Sequence, residues 1–130
     1  CLQELRWLYA RRNLAAARRL GLGRCLVLLH RPEVAEVHFR AAEELLRDPA
    51  AVSLERAETW LRAGEPTRGL AVLQTVPRLD DHVRGQLLRV RALEALGRRD
   101  EAQEAARRAL ALEPGSEAGR RLLEALTGSR

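Results

Sequence analysis

The sequence predicts an all-α protein, and its composition and residue pattern carry that prediction. Hydrophobic residues make up 46% of the 130 residues and charged residues 32%, whereas aromatic residues make up only 3%. Ala, Leu, Arg and Glu dominate, a profile that favours helix over strand. No stretch alternates apolar with polar residues as a half-buried strand requires, so we expect helices throughout, in one domain or one stack of repeats.

Small residues recur along the chain at a nearly fixed interval. Ala35 is followed by Gly69 after 34 residues and by Ala102 after a further 33. The same intervals separate three residues on the preceding helical segments: Gly23, Ala57 and Val90. Small side chains let two helices pack closely, and a period of this length indicates a stack of helical repeats.

The segment Leu96–Pro114 resembles the second half of a tetratricopeptide repeat. It has the loop glycine of that family at Gly97, the packing alanines at Ala102 and Ala109, and the family's terminal proline. Carried back along the chain, the resemblance covers residues 16–114 as three degenerate repeats. It implies a right-handed superhelix of antiparallel helix pairs, with one flanking helix before the repeats and one after them.

The repeat register sets the expected organisation of residues 1–130 as a single domain of a longer chain. Its segments would be an N-terminal helix at 1–15, repeats at 16–49, 50–82 and 83–115, and a C-terminal capping helix at 116–130. Helices are predicted at 2–12, 14–29, 33–47, 51–63, 66–76, 80–96, 99–112 and 116–127. Pro77 predicts that the second helix of the middle repeat is short, because proline cannot continue a helix interior.

One loop position recurs in all three repeats. It is occupied by His30, Gly64 and Gly97. The two glycines follow predicted helix ends, where a left-handed backbone is favoured, and we expect both to adopt it.

In tetratricopeptide proteins the first helices of successive repeats line a concave groove that binds a peptide or a partner helix. The resemblance implies that the corresponding positions here are Leu20, Arg24, Val27, Leu54, Glu58, Leu61, Arg62, Arg84, Leu87, Arg91 and Glu94. They would form a leucine floor beside an arginine-rich and partly acidic wall, which suits an amphipathic helix or an extended segment. The function implied is that of a protein–protein interaction scaffold. The Lys and Asn arrangement with which some members bind a terminal carboxylate is missing, since the chain has no Lys and its only Asn is Asn13.

The N-terminal segment offers a second candidate interface. Leu5, Trp7, Leu8 and Tyr9 place apolar groups around much of the first predicted helix. Exposed apolar surface of that kind usually becomes an interface. We therefore expect this segment to contact a preceding repeat or a second chain, so that the protein self-associates through its N-terminal end.

Two alternative functions stay open, a regulatory helical-repeat domain of a transcriptional or signalling protein and an arginine-mediated nucleic-acid binder. The formal charge is +5, and all 23 basic residues are Arg. The absence of Lys, Ile and Met points to the codon bias of a GC-rich bacterial genome, which weakens the argument from charge. Acidic and basic residues are also interleaved, and few aromatic groups are available for base stacking.

No residue pattern predicts catalysis, and we expect neither an enzyme nor a cofactor or metal site. His30, His38 and His82 lack further ligands at metal-binding spacing. Ser53 and Ser116 lie where helices are expected to begin and are interpreted as caps. Gly21 and Gly23 lack the strand that precedes a phosphate-binding loop.

The cysteines and large aromatic residues have structural interpretations. Cys25 is interpreted as a small core residue, and Phe39 and Trp60 fall on apolar positions of the repeat and are also assigned to the core. No apolar run approaches the roughly 20 residues of a membrane-spanning helix. We expect a cytoplasmic protein, with lipid anchoring through Cys1 as the alternative.

Overall fold

A computed structural model of the chain is helical from end to end. It describes the backbone of residues 2–128 and the side chains of residue 11 and residues 13–128. Within these bounds the elements are α1 (Leu2–Leu28), α2 (Pro32–Leu46), α3 (Pro49–Arg62), α4 (Pro66–Leu73), a 3-10 turn (Leu79–Asp81), α5 (Val83–Ala95), α6 (Arg99–Leu112) and α7 (Glu117–Gly128). The described backbone contains no strand, which confirms the predicted all-α class.

Consecutive helices pair across short loops, α1 with α2, α3 with α4 and α5 with α6. Each of these loops is three residues long, so the two helices of a pair run antiparallel. α7 packs on α6, and the first helices of the pairs, α1, α3 and α5, also contact one another in succession. The result is a superhelix of helical repeats, closed at its C-terminal end by one additional helix.

Local sequence signals set most helix ends. Pro32, Pro49 and Pro66 each begin a helix, where a missing N–H leaves no hydrogen bond unmade. Gly64 and Gly97 have φ values of +78° and +74°, which confirms the left-handed backbone expected of them. His30 adopts the same conformation at the equivalent position, with φ of 61°. The three repeats therefore share one loop geometry, although only two of them have glycine there.

The first helix differs from the prediction. Separate helices were expected at 2–12 and 14–29, but α1 runs without interruption from Leu2 to Leu28. A single Asn at residue 13 lowers helix propensity by less than about 0.7 kcal/mol relative to Ala, which does not by itself end a helix. The predicted effect of Pro77 is confirmed, since α4 ends at Leu73 after only eight residues.

The small residues of the repeat lie at helix contacts. Ala35, Ala57 and Ala102 are fully buried. A Cβ built on Gly23 would lie 2.8 Å from the ring of Phe39, closer than carbon atoms can approach. Gly23 is thus required by the close approach of α1 and α2. The burial of these positions confirms the repeat register read from their spacing.

Large side chains fill two connected cores. Phe39 and Trp60 belong to a cluster formed mainly by α1 to α4, so both lie in the core as predicted, and Leu93 belongs to a second cluster toward the C-terminal end. Leu61 packs against both clusters. Because the clusters share this residue, the repeats form one continuous hydrophobic core.

Two assignments from the sequence are wrong. Cys25 is exposed rather than buried, because it lies two residues, or about 200° of helix rotation, beyond Gly23, which faces α2. Ser53 is buried inside α3, and the N-cap is Asp48, whose carboxylate accepts a hydrogen bond from the Ala51 N–H at 3.2 Å. Ser116 does act as a cap, since its hydroxyl accepts from the Gly119 N–H at 3.1 Å.

Candidate functional site

Charged side chains from all three first helices meet in one network, which we call the inner-face network. Its members are Arg24 of α1, Glu55, Glu58 and Arg62 of α3, and Arg84 and Arg91 of α5. Arg84 Nη2 donates to Glu55 Oε1 at 2.9 Å and to Glu58 Oε2 at 2.8 Å. Arg84 thereby links α5 to α3 through two carboxylates.

Three weaker contacts complete the inner-face network. Arg62 Nη2 donates to Glu58 Oε1 at 3.0 Å within α3. Arg91 Nη1 lies 4.0 Å from the same carboxylate, and Arg24 Nη1 of α1 lies 3.9 Å from Glu55 Oε2. The two carboxylates thus lie among four guanidinium groups, and the network has a net charge of +2.

Electrostatics favour the charged forms of the groups at the centre of the network. Burial by itself raises the pKa of Glu58, but the hydrogen bond from Arg84 and the charges of Arg62, Arg84 and Arg91 lower that pKa below its ordinary value. Partial burial lowers the pKa of Arg84, and its hydrogen bonds to Glu55 and Glu58 outweigh that effect and raise the pKa overall. Both groups are therefore ionised at neutral pH.

The guanidinium groups lie outside the carboxylates. The side chains of Glu55 and Glu58 are 26% and 21% exposed, whereas those of the four arginines are between 41% and 59% exposed. A ligand that approached this face would therefore meet guanidinium groups first.

Apolar side chains flank the network, in places that only partly match the prediction. Leu20, Leu61 and Leu87 are half-buried beside the charged groups. Val27 and Leu54 are each only 3% exposed and belong to the core, so they present almost no surface to a partner. Leu28, which is 57% exposed, borders a small cleft between α1 and α3 together with Arg24, Thr59 and Arg62.

The prediction missed Glu55 and Leu28. Glu55 lies three residues before Glu58 and seven before Arg62, a spacing that puts all three on one face of a helix. Leu28 lies four residues after Arg24, which is the same kind of signal. Of the other predicted residues, Arg62, Arg84, Arg91 and Glu94 are exposed and Arg24 is half-buried.

Three further arginines pair with carboxylates on neighbouring elements. Arg56 Nη2 lies 2.8 Å from Glu36 Oε2 and thereby joins α3 to α2. Arg89 and Arg108 both approach Asp80 Oδ1, at 3.6 and 3.0 Å, and the buried Gln86 donates to the same oxygen at 3.2 Å. Asp80 therefore anchors the 3-10 turn to α5 and α6.

The side chains of the predicted N-terminal interface, Leu5, Trp7, Leu8 and Tyr9, lie outside the described residues, as does Cys1. The described part of the same helix pair does expose apolar groups. Leu14, Leu22, Leu29, Val34 and Val37 are between 46% and 68% exposed. Apolar surface at this end of the molecule thus extends over both helices of the first pair.

Metal-binding clusters and membrane-spanning helices are both absent from the described residues. No three His, Cys, Asp or Glu side chains among them are close enough to hold a metal ion. No helix within residues 2–128 has the length and apolar character that crossing a bilayer requires.

Comparison with known proteins places the chain among helical-repeat proteins. Residues 83–126 match the family described as tetratricopeptide repeat (TPR). Among proteins with curated descriptions, none matches the sequence. The first TPR domain of human RPAP3 superposes with a TM-score of 0.67 at 16% identity, over 88% of this chain and 91% of that domain.

Two further TPR domains share the fold. The second TPR domain of human RPAP3, solved in complex with the HSP70 peptide SGPTIEEVD, gives a TM-score of 0.68 at 18% identity, over 92% of this chain and 99% of that one. The TPR domain of Arabidopsis OM64 gives 0.66 at 21% identity, over 89% and 97%. The chain therefore has the fold of these TPR domains.

Proposed function

We propose that the chain is a protein-interaction scaffold whose inner face binds an acidic, leucine-containing segment of a partner polypeptide. The observation that carries the proposal is the exposed layer of four guanidinium groups above two carboxylates. Arginine binds carboxylates through paired hydrogen bonds. A partner segment with acidic side chains would engage the outer arginines without displacing the inner carboxylates.

Apolar groups along the same face supply the second part of the recognition. Leu20, Leu28, Leu61 and Leu87 border the inner-face network on all three first helices. Burial of leucine surface contributes affinity, while the fixed positions of the arginines select the charge of the ligand. An amphipathic helix with one leucine face and acidic flanks fits both requirements.

The second RPAP3 domain supports the proposal that the partner segment is acidic. It does not support the same binding mode. The HSP70 peptide in that structure, SGPTIEEVD, has three acidic residues. This chain has no Lys, and its one Asn, Asn13, precedes the inner-face network. We therefore infer recognition of acidic side chains rather than of a free terminal carboxylate.

A fluorescence anisotropy titration tests the proposal with two labelled helical peptides. Both have leucines on one face, and the other face has Glu in one peptide and Lys in the other. The Glu peptide should bind with a micromolar Kd that weakens as salt is added, and the Lys peptide should not bind. Arg62→Gln combined with Arg91→Gln should weaken binding by about tenfold or more, since charged hydrogen bonds contribute about 1.5 to 3 kcal/mol each.

Arg107→Gln combined with Arg121→Gln removes the same charge from α6 and α7 and serves as the matched control, with no expected effect. Equal binding of the two peptides, or equal binding by the two double variants, would refute the proposal. Titration with SGPTIEEVD that has either a free or an amidated C terminus distinguishes recognition of acidic side chains from recognition of the terminal carboxylate. A strong preference for the free acid would show recognition of the terminus instead.

A further inference from the structure

The face of the first helix pair that points away from α3, which we call the end face, has no neighbour within the described residues. Its direction follows from the ion pairs that point toward α3, Arg24 with Glu55 and Glu36 with Arg56. Leu22 and Val34 each lie two residues from one of these groups. That separation is about 200° around an α-helix, so both side chains point to the opposite side.

The end face is largely apolar. Leu22 of α1 and Leu29, which directly follows that helix, are 49% and 68% exposed, and Val34 and Val37 of α2 are 46% and 61% exposed. Outside the first helix pair, Leu112 is the one large hydrophobic residue with comparable exposure among the described side chains. Apolar exposure is thus concentrated at one end of the molecule.

The two helices that form the end face have opposite charge. Residues 11–28 contain five arginines and no acidic residue, whereas α2 contains four glutamates and one arginine. Arg24 and Glu36 point toward α3 and do not belong to the end face. Arg18 and Glu44 are exposed, and each lies five residues, or about 140° of helix rotation, from the α1–α2 contact at Gly23 and Phe39. Neither has an ion-pair partner within the described part of the chain. A surface that is basic on one side and acidic on the other is complementary to a rotated copy of itself.

We propose that the end face is a homodimer interface, in which α1 of one copy packs over α2 of a second copy about a two-fold axis parallel to the helices. This rotation brings the leucines of each α1 onto the valines of the partner's α2. It also places each basic helix on an acidic one. A two-fold axis perpendicular to the helices would instead place α1 on α1 and oppose the arginines.

Positions along the helices agree with this arrangement. Gly23 is level with Phe39, which it contacts, and Arg19 Nη1 lies 3.0 Å from His38 Nδ1. Arg18 is therefore level with residues 39 to 44 of α2, to within about one helical turn. Because a rotation about an axis parallel to the helices preserves height, Arg18 of each copy comes level with Glu44 of the other, to within about one helical turn.

The other end of the molecule argues against head-to-tail stacking. α7 covers the last repeat with Leu126, which is 4% exposed, and presents Glu117, Arg120 and Arg121 to solvent. An apolar end face does not match this polar surface. The end face of a second copy, by contrast, is complementary to both the apolar centre and the charges of the first.

Sedimentation velocity from low micromolar to sub-millimolar concentration measures the dimer directly. We expect the wild-type chain to dimerise, and Val37→Glu and Leu22→Glu to sediment as folded monomers with unchanged circular dichroism. Leu112→Glu places the same charge on an exposed apolar residue of α6 and should leave the dimer intact. A monomeric wild type, or a dimer that survives both end-face variants, would overturn the proposal and indicate another occupant.

Charge reversal tests the relative orientation of the two copies. Arg18→Glu and Glu44→Arg should each weaken dimerisation by about tenfold, because each creates two like-charge contacts per dimer. The double variant restores opposite charges and should recover most of the wild-type affinity. If the double variant is weaker than either single one, the proposed axis is wrong. Peptide binding by the inner face is a separate measurement, so failure of one proposal leaves the other testable.

Discussion

The two ends of this molecule are built from the same repeat, but the last helix pair is covered by a further helix and the first pair is exposed. At the C-terminal end, α7 covers the third helix pair, and Arg99 and Gln103 of α6 donate hydrogen bonds to the Leu126 carbonyl in its last turn. At the N-terminal end, the first pair leaves Leu22 and Val37 about half exposed or more. The fixed interval of small residues therefore controls packing inside the stack but does not control how the stack ends.

The difference shows what a terminal helix contributes to a repeat protein. Each helix pair buries one face against the next pair, so within the described residues the first and last pairs each have one face with no repeat against it. At the C-terminal end, α7 covers the open face, with its apolar stripe packed against the repeat and its charged face exposed to solvent. At the other end the apolar face stays exposed within the described residues, as the proposed dimer requires.

The largest expected effect is a loss of folding stability when a leucine is truncated at the C-terminal end, compared with a leucine at the N-terminal end. Leu126→Ala should lower the free energy of unfolding by about 2 to 5 kcal/mol, because it removes a buried side chain and leaves a cavity. Leu29→Ala should change it by less than about 0.5 kcal/mol, since Leu29 is exposed in the monomer. Urea denaturation followed by circular dichroism, at concentrations where the chain is monomeric, gives both values. Similar losses at the two ends would show that the end face is covered within one chain.

A smaller effect is expected from overpacking at equivalent positions of the first and third repeats. Ala35→Leu and Ala102→Leu should each destabilise the protein by about 1 to 3 kcal/mol, because both alanines lie fully buried between paired helices. Ala111→Leu, at an exposed position of α6, is the control. If one of the two buried positions accepts leucine without a lower melting temperature, the two repeats do not share the same packing.

The smallest effect concerns the loop position that the repeats share. His30→Gly should stabilise the protein by less than about 1 kcal/mol, because glycine adopts a left-handed backbone without strain but loses more conformational entropy on folding. Gly97→Ala should destabilise it by about 1 kcal/mol for the converse reason. Thermal denaturation of both variants measures the asymmetry. Destabilisation by His30→Gly would mean that the imidazole makes contacts that outweigh its backbone strain.

The inner face shows where inference from the sequence succeeded and where it was incomplete. Arg62, Arg84 and Arg91 were predicted to line it, and the structure joins all three to Glu58. Glu55 was missed, and Val27 and Leu54 were placed on a surface although they lie in the core. Each of the two core residues directly precedes a surface residue, Leu28 or Glu55. One residue along a helix is 100° of rotation. That is enough to exchange a core position for a surface one.

The sequence by itself determined the helical class, the period and the loop geometry, because these depend on local propensity, on the spacing of small residues and on the backbone freedom of glycine. Only the tertiary structure decided that α1 continues through Asn13, that Cys25 is exposed, and which carboxylates pair with which arginines. Those outcomes depend on how each helix is rotated against its neighbours. Helix rotation is fixed by the fit of large side chains such as Phe39 against Gly23, an interaction between distant residues that no local pattern contains.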